Sequence, residues 1–265
     1  MADVGNYRIK NMIAEGGFAR IYQAEHRLLE ELACIKQCKE KSDDYAELLR
    51  SEAKILWNLN DHHSIPQVKD FMKVSDGSYI MVMSYIEGKT LDNILPMDSK
   101  KHLHHEDAAW ITQRVLEAVY YCHYNGVIHG DIKPANIIVE PRKHDIKLID
   151  FGLSLYKPSS GTKPLGYTHA FVAPEILDSK PPIPETDLYG VGLIMLYALG
   201  GDPFTKTMPD DIPKPMKDFC NKLILYDPIQ RPNWEKADLI DEFSKIRESV
   251  FGRKHTDAYK RTKLD

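Results

Sequence analysis

Within eight consecutive residues, His129-Gly130-Asp131-Ile132-Lys133-Pro134-Ala135-Asn136, the chain carries a carboxylate, an ammonium and an amide. Fourteen residues beyond Asn136 it reads Asp150-Phe151-Gly152, which adds a second carboxylate. Two carboxylates, an amide oxygen and an ammonium converging on one cleft make a hard-oxygen site suited to Mg²⁺ and phosphate. Any one of these residues could merely cap a turn; the joint pattern is what points to chemistry.

Such a site needs elements that bring its members together. Ile137-Ile138-Val139 and Ile146-Lys147-Leu148-Ile149 read as two short apolar strands around a polar turn at 140–145. A hairpin returns the chain to its starting end, so Asn136 and Asp150 are predicted to face the same cleft, with Asp131 just beyond. Upstream, 106–124 reads as a helix with Trp110, Ile111, Val115, Val119 and Cys122 on one buried face. It delivers the chain to Val127-Ile128-His129, where the apolar flanks predict a core histidine.

Nearer the N-terminus, Leu32-Ala33-Cys34-Ile35-Lys36 is an apolar strand pattern in which Lys36 shares a face with Cys34. A buried ammonium needs an anion. The helix predicted over 45–59 supplies one, because Glu52 lies inside the apolar stripe of Leu48, Leu49, Ile55, Leu56 and Leu59. Lys36 and Glu52 are therefore the predicted ion pair. Strands at 7–13 and 21–25 flank Gly16-Gly17, a hairpin tip whose small residues let backbone N–H groups approach phosphates, although a plain β-turn explains the tip as readily. Strands at 68–74 and 79–85 are separated by the turn signal Asp76-Gly77.

The 265 residues suffice for one or two domains, and a net charge of −4 gives no electrostatic reason to expect nucleic acid or an anionic membrane. Four cysteines without framework spacing suggest free thiols in a reducing cytoplasm. No N-terminal signal pattern is seen, and the apolar run 188–199 is 12 residues, too short to span a bilayer. It reads as a buried helix with Asp187 as its N-cap. The basic stretch Arg253 to Lys263 reads as a solvated, frayed tail, with a docking tail for an acidic partner as the alternative.

Taken in chain order, these motifs resemble the protein kinase family over nearly the whole sequence. The resemblance implies a two-lobed α+β fold: a small antiparallel-sheet lobe with one helix (about 6–83), a hinge (about 84–88), and a larger, mainly helical lobe (about 89–252), followed by the tail at 253–265. ATP with Mg²⁺, or Mn²⁺, would lie between the lobes. Asp131 would orient and deprotonate the acceptor hydroxyl, Lys133 would contact the transferring phosphate, and Asn136 and Asp150 would hold metal. Lys36, placed by Glu52, would bind phosphates, and Ile13, Gly16, Gly17, Ile21, Ala33, Met83, Ser84 and Ile86 would complete the nucleotide contacts. Ala14 and Ala19 stand where the family usually has its first and third loop glycines.

Further along, Ala173-Pro174-Glu175 resembles the family's APE motif, with Arg231 as the partner of Glu175, and Thr168 resembles the threonine that bonds the catalytic aspartate. The equivalent of Asp187 anchors the catalytic-loop backbone. Ser154, Ser159, Ser160 and Thr162 are candidate phosphosites. Gly130 stands where many protein kinases carry an arginine that pairs with a phosphorylated loop, so activity is expected not to require that phosphorylation. Lys133 resembles serine/threonine kinases, implying protein Ser/Thr acceptors. Two other readings stay open: a kinase-like small-molecule phosphotransferase, suggested by His-Gly-Asp, and a pseudokinase scaffold, suggested by the thinned glycine loop.

Overall fold

The computed structural model describes residues 3–98 and 101–254. The chain divides into two compact units, Met1–Glu87 and Gly88–Asp265. The first contains β1 (Asp3–Val4), β2 (Tyr7–Glu15), β3 (Ala19–His26), β4 (Leu32–Cys38), α1 (Asp43–Asn58), β5 (Val68–Lys73) and β6 (Tyr79–Ser84). Its six strands form one antiparallel sheet in the order β1-β2-β3-β4-β6-β5.

Side chains alternate across a strand, so register decides which residues share a face. Ala24 pairs with Ala33, and Ile35 with Val82. These four join Tyr7 and Ile80 in one buried cluster. Lys36 and Cys34 therefore occupy the other face, where Ile21 and Met81 pair with Lys36 and Met83 with Cys34.

Helix α1 starts where Ser42 Oγ accepts the Tyr45 N–H at 3.4 Å, and Asp43 and Asp44 in its first turn complement the helix dipole. Its buried face is Ala46, Leu49, Glu52, Ala53, Ile55 and Leu56. Leu48, expected in that stripe, is instead 42% exposed. The two alanines, which sequence reading passed over, complete the face on which Glu52 sits.

The second unit contains β7 (Lys89–Thr90), α2 (Leu91–Ile94), α3 (His105–Tyr124), β8 (Val127–Ile128), β9 (Ile137–Glu140), β10 (Asp145–Leu148), β11 (Leu155–Tyr156), α4 (Pro174–Leu177), α5 (Pro184–Ala198), α6 (Lys214–Leu223) and α7 (Leu239–Phe251). The predicted hairpin is present: β9 and β10 pair from Leu148–Ile137 to Asp145–Glu140, and His144 makes the turn with φ of 50°. Strand β11 pairs with β8, tying the segment after Asp150 to the strand before His129.

Helix α5 is buried from Thr186 to Ala198 and forms the centre of this unit. It begins at Pro184, three residues ahead of Asp187, which therefore is not the N-cap. Proline suits a first helical position, and Thr186 Oγ1 accepts the Ile183 N–H at 3.1 Å. The first turn thus forms without Asp187, whose carboxylate is engaged elsewhere.

The fold is the α+β architecture predicted, a small sheet-rich unit with one helix and a larger, mainly helical one. All four cysteines are free thiols. Among the described residues, no helix is long and apolar enough to cross a membrane. Arg253, read from sequence as the start of a frayed tail, instead grips the buried Glu106 at the start of α3 with two bonds of 2.6 and 2.9 Å. Lys260, Arg261 and Lys263 lie outside the described residues.

Candidate active site

In the first unit, Lys36 Nζ lies 2.7 Å from Glu52 Oε1, with both side chains buried. The strand turns Lys36 toward α1, and the helix presents Glu52 from within its apolar face. Such a pair is held by mutual need, since breaking it strands a buried charge at a cost of about 3–5 kcal/mol. The Phe18 ring, at the tip between β2 and β3, lies 4.9 Å from the same ammonium. Gly16 closes that tip with a 2.9 Å bond from its N–H to Ala19 O. A Cβ at Gly17 would meet nothing within 4 Å.

Ile21 and Met83 share the face of Lys36, whereas Ala33 does not. Ala33, expected to contact nucleotide, is an odd number of residues from Lys36 and packs into the core cluster on the opposite side. Cys34 takes the position on the lysine's face. Burial pushes its thiol up to about 11, so it remains protonated near neutrality. Ile13 is 49% exposed near the end of β2. Ser84 ends β6 and Ile86 follows two residues later, within the same unit.

In the second unit, residues 129–136 fold around Asp131. Lys133 Nζ lies 2.5 Å from Asp131 Oδ2, and Asn136 Nδ2 donates to Asp131 O at 2.9 Å and Oδ2 at 3.1 Å. Thr168 Oγ1 donates to Asp131 Oδ1 at 2.8 Å and accepts from Lys133 Nζ at 2.9 Å. A buried carboxylate is thus fixed in orientation by three side chains. Because both contacts of Asn136 use its nitrogen, its side-chain oxygen remains the atom suited to a metal.

Asp150, two residues beyond β10, is exposed and holds φ of 62°, a left-handed conformation that aspartate tolerates better than most side chains. The Ile149 N–H donates to Asn136 O at 2.9 Å, which brings the two predicted metal-holding residues to one end of the hairpin. Among the described residues, no cluster of three or more His, Cys, Asp or Glu groups forms a metal site. A carboxylate and an amide oxygen suit a hard cation that keeps other ligands from water and phosphate, such as Mg²⁺ or Mn²⁺.

The loop backbone is fixed from α5. Asp187 Oδ2 accepts the His129 N–H at 2.7 Å and Oδ1 the Gly130 N–H at 2.8 Å, while His123 Nε2 lies 2.8 Å from Oδ2. Burial alone would raise the Asp187 carboxyl, but His123, His129 and the Gly130 amide outweigh it and hold the group below its ordinary value. Close approach to α5 also needs Gly190, where a Cβ would sit 2.7 Å from Ile132 Cβ. His129 Nδ1 accepts the Asp131 N–H at 3.2 Å, so its Nε2 carries the proton facing Ile149 O at 3.2 Å. Burial pushes this imidazole down despite nearby carboxylates, consistent with a neutral core histidine.

Two further expectations meet different fates. Ser154, a candidate phosphosite, is buried and donates its hydroxyl to His129 O at 2.9 Å, so it is structural. Ser159, Ser160 and Thr162 are not buried. Arg231 pairs with Glu175 through two 2.8 Å bonds and donates to Leu225 O, Glu185 O and Tyr226 O at 2.7, 3.0 and 3.0 Å. All five guanidinium donors are thereby used. Thr186 Oγ1 adds a 2.9 Å bond to Glu175 Oε1. Sequence reasoning missed Thr186, His123 and Trp234, whose partners are distant in the chain.

The sequence profile described as Protein kinase domain matches residues 7–240. Serine/threonine-protein kinase D of Synechocystis sp. is 33% identical over 77% of this chain and 41% of its own length. Serine/threonine-protein kinase pkn3 of Myxococcus xanthus is 31% identical over 74% of this chain and 38% of its own. The hormonally up-regulated neu tumor-associated kinase homolog A of Xenopus laevis is 31% identical over 88% and 37%. The chain therefore spans well under half the length of these curated relatives. With the profile covering most of the sequence and the loop geometry at Asp131 in agreement, this chain belongs to the protein kinase domain family.

Proposed function

We propose that this chain is an ATP- and Mg²⁺-dependent serine/threonine protein kinase. The observation that carries the reading is the arrangement of Lys133, Asn136 and Thr168 about Asp131. Names of relatives at 31–33% identity support serine/threonine acceptors.

In this reading the γ-phosphorus bonds to a Ser or Thr hydroxyl oxygen of the substrate, its bond to the β–γ bridging oxygen breaks, and ADP leaves. The hydroxyl proton passes to Asp131, whose carboxylate is already oriented. Lys133 lies at Asp131 and offsets the developing negative charge on the transferred group. Lys36, positioned by Glu52, contacts the nucleotide phosphates, and Gly16 and Gly17 offer backbone N–H groups. Ile21, Cys34, Met83, Ser84 and Ile86 complete the nucleotide contacts, with Cys34 in place of Ala33. Asn136 and Asp150 would hold Mg²⁺, which when bound would neutralise phosphate charge.

The same reading makes activity independent of activation-loop phosphorylation. Gly130 has no side chain to engage a phosphate on the activation loop, and the catalytic-loop amides of His129 and Gly130 are held by Asp187 with no phosphate involved. The test is transfer of labelled phosphate from ATP to protein acceptors by the wild type, by a phosphatase-treated sample and by Asp131→Asn. Wild type and treated sample should be equally active, and the variant should lose about 10²-fold or more at unchanged melting temperature. A fully active variant would sink the assignment.

A further inference from the structure

We propose that Trp234 is a positioning residue for the loop at 129–136, acting through His123 and Asp187. An indole N–H can only donate. It lies 2.8 Å from His123 Nδ1, which must then be the accepting nitrogen. The proton of the neutral ring is thereby placed on Nε2, and this nitrogen faces Asp187 Oδ2 at 2.8 Å as a donor. The same carboxylate accepts the N–H groups of His129 and Gly130, the two residues directly before Asp131. A chain of hydrogen bonds thus runs from a tryptophan just before α7 to the backbone that aims Asp131.

The tautomer is what transmits the effect. With the proton on Nδ1, the Nε2 lone pair would point at a carboxylate oxygen, an unfavourable contact in a buried site. Asp187 would then lose one of the partners that fix its rotation, and its alignment with two amides would loosen. Trp234 excludes that tautomer by occupying Nδ1. Its ring also packs edge-on against Tyr120 at 5.1 Å and is only half-buried, so phenylalanine can keep the packing while removing the donor.

The consequence for turnover rests on the kinase reading; the positioning itself does not. The experiment compares wild type, Trp234→Phe, His123→Gln and the double variant. It reads ¹⁵N shifts of the His123 ring, hydrogen exchange of the His129 and Gly130 amides, and kcat and KM for ATP. We expect wild-type His123 as the Nε2–H tautomer. In Trp234→Phe, exchange at the two amides should be about fivefold faster with α5 amides unchanged, and kcat about fivefold lower at unchanged KM. Trp234→Phe should add nothing in the His123→Gln background. An Nδ1–H tautomer in the wild type, unchanged exchange in Trp234→Phe, or additive effects overturns the proposal. A wild type without phosphate transfer sinks the kinase reading, while the tautomer and exchange data still decide the positioning.

Discussion

Replacing Gly130 with alanine should destabilise the protein by about 1–2 kcal/mol, and the structure sets the size of the effect. Gly130 holds φ of 78°, and its added Cβ would lie 3.0 Å from Leu153 O. A left-handed backbone costs a residue with a Cβ about 1–2 kcal/mol. The contact adds strain, because Leu153 cannot move freely while its neighbour Ser154 is bonded to His129 O at 2.9 Å. Reduced freedom of the unfolded chain returns about 0.4–1 kcal/mol. For a unit of this size the balance corresponds to a fall in melting temperature of about 2–8 °C. Thermal denaturation followed by circular dichroism measures it, with phosphate transfer assayed in parallel. Asparagine, which tolerates positive φ, should be milder than alanine. Arginine should be at least as costly as alanine, so restoring the residue common in the family should weaken the fold rather than confer dependence on loop phosphate. Equal stability of Gly130→Ala and wild type, or asparagine worse than alanine, would refute the strain argument.

Arg231→Lys should cost about 3–5 kcal/mol despite keeping the charge, because three ammonium donors cannot replace five and Glu175 is buried; denaturant midpoints with an unchanged slope check this. Arg253→Ala should cost only about 1 kcal/mol, since that side chain is 38% exposed and water screens its pair with Glu106; a loss above about 3 kcal/mol would show that the clasp matters more than its exposure allows. Stability should also fall as the solution is acidified below pH 6.5. His129 has its folded value depressed below 6.5, so the unfolded chain binds the extra proton and stability, full above 6.5, declines on acidification by up to about 1.4 kcal/mol per pH unit. His105 and His144, also depressed chiefly by burial, add in the same direction. Asp187 contributes above 3.8 and loses that contribution only as the pH falls through its depressed value. Urea midpoints at pH 7.5 and 5.5 decide the matter, and a higher midpoint at 5.5 would contradict it.

Where a side chain's role follows from local periodicity, sequence alone determined it. A lysine ending an apolar strand and a glutamate inside a helical stripe cannot both be buried unpaired, and Lys36 and Glu52 meet at 2.7 Å. The β9–β10 hairpin follows from two apolar runs around a polar turn. The same two-residue alternation placed Cys34 with Lys36, and the paired register puts Ala33 on the other face. Resemblance to kinases supplied Thr168–Asp131 and Glu175–Arg231, links that no local pattern contains.

Tertiary structure alone decided the rest. Of the two roles read for Asp187, the loop-backbone anchor came from the resemblance and is present, whereas the helix cap fails because capping is a local rule and Pro184 starts the helix. Ser154 has the composition of a phosphosite and the burial of a core residue. Trp234 and His123 lie 111 residues apart, and their bond exists only because the fold brings the segment before α7 against the last turn of α3. Short-range periodicity records which face of an element is buried; it cannot record which distant donor will satisfy a buried acceptor, because that partner is chosen by packing.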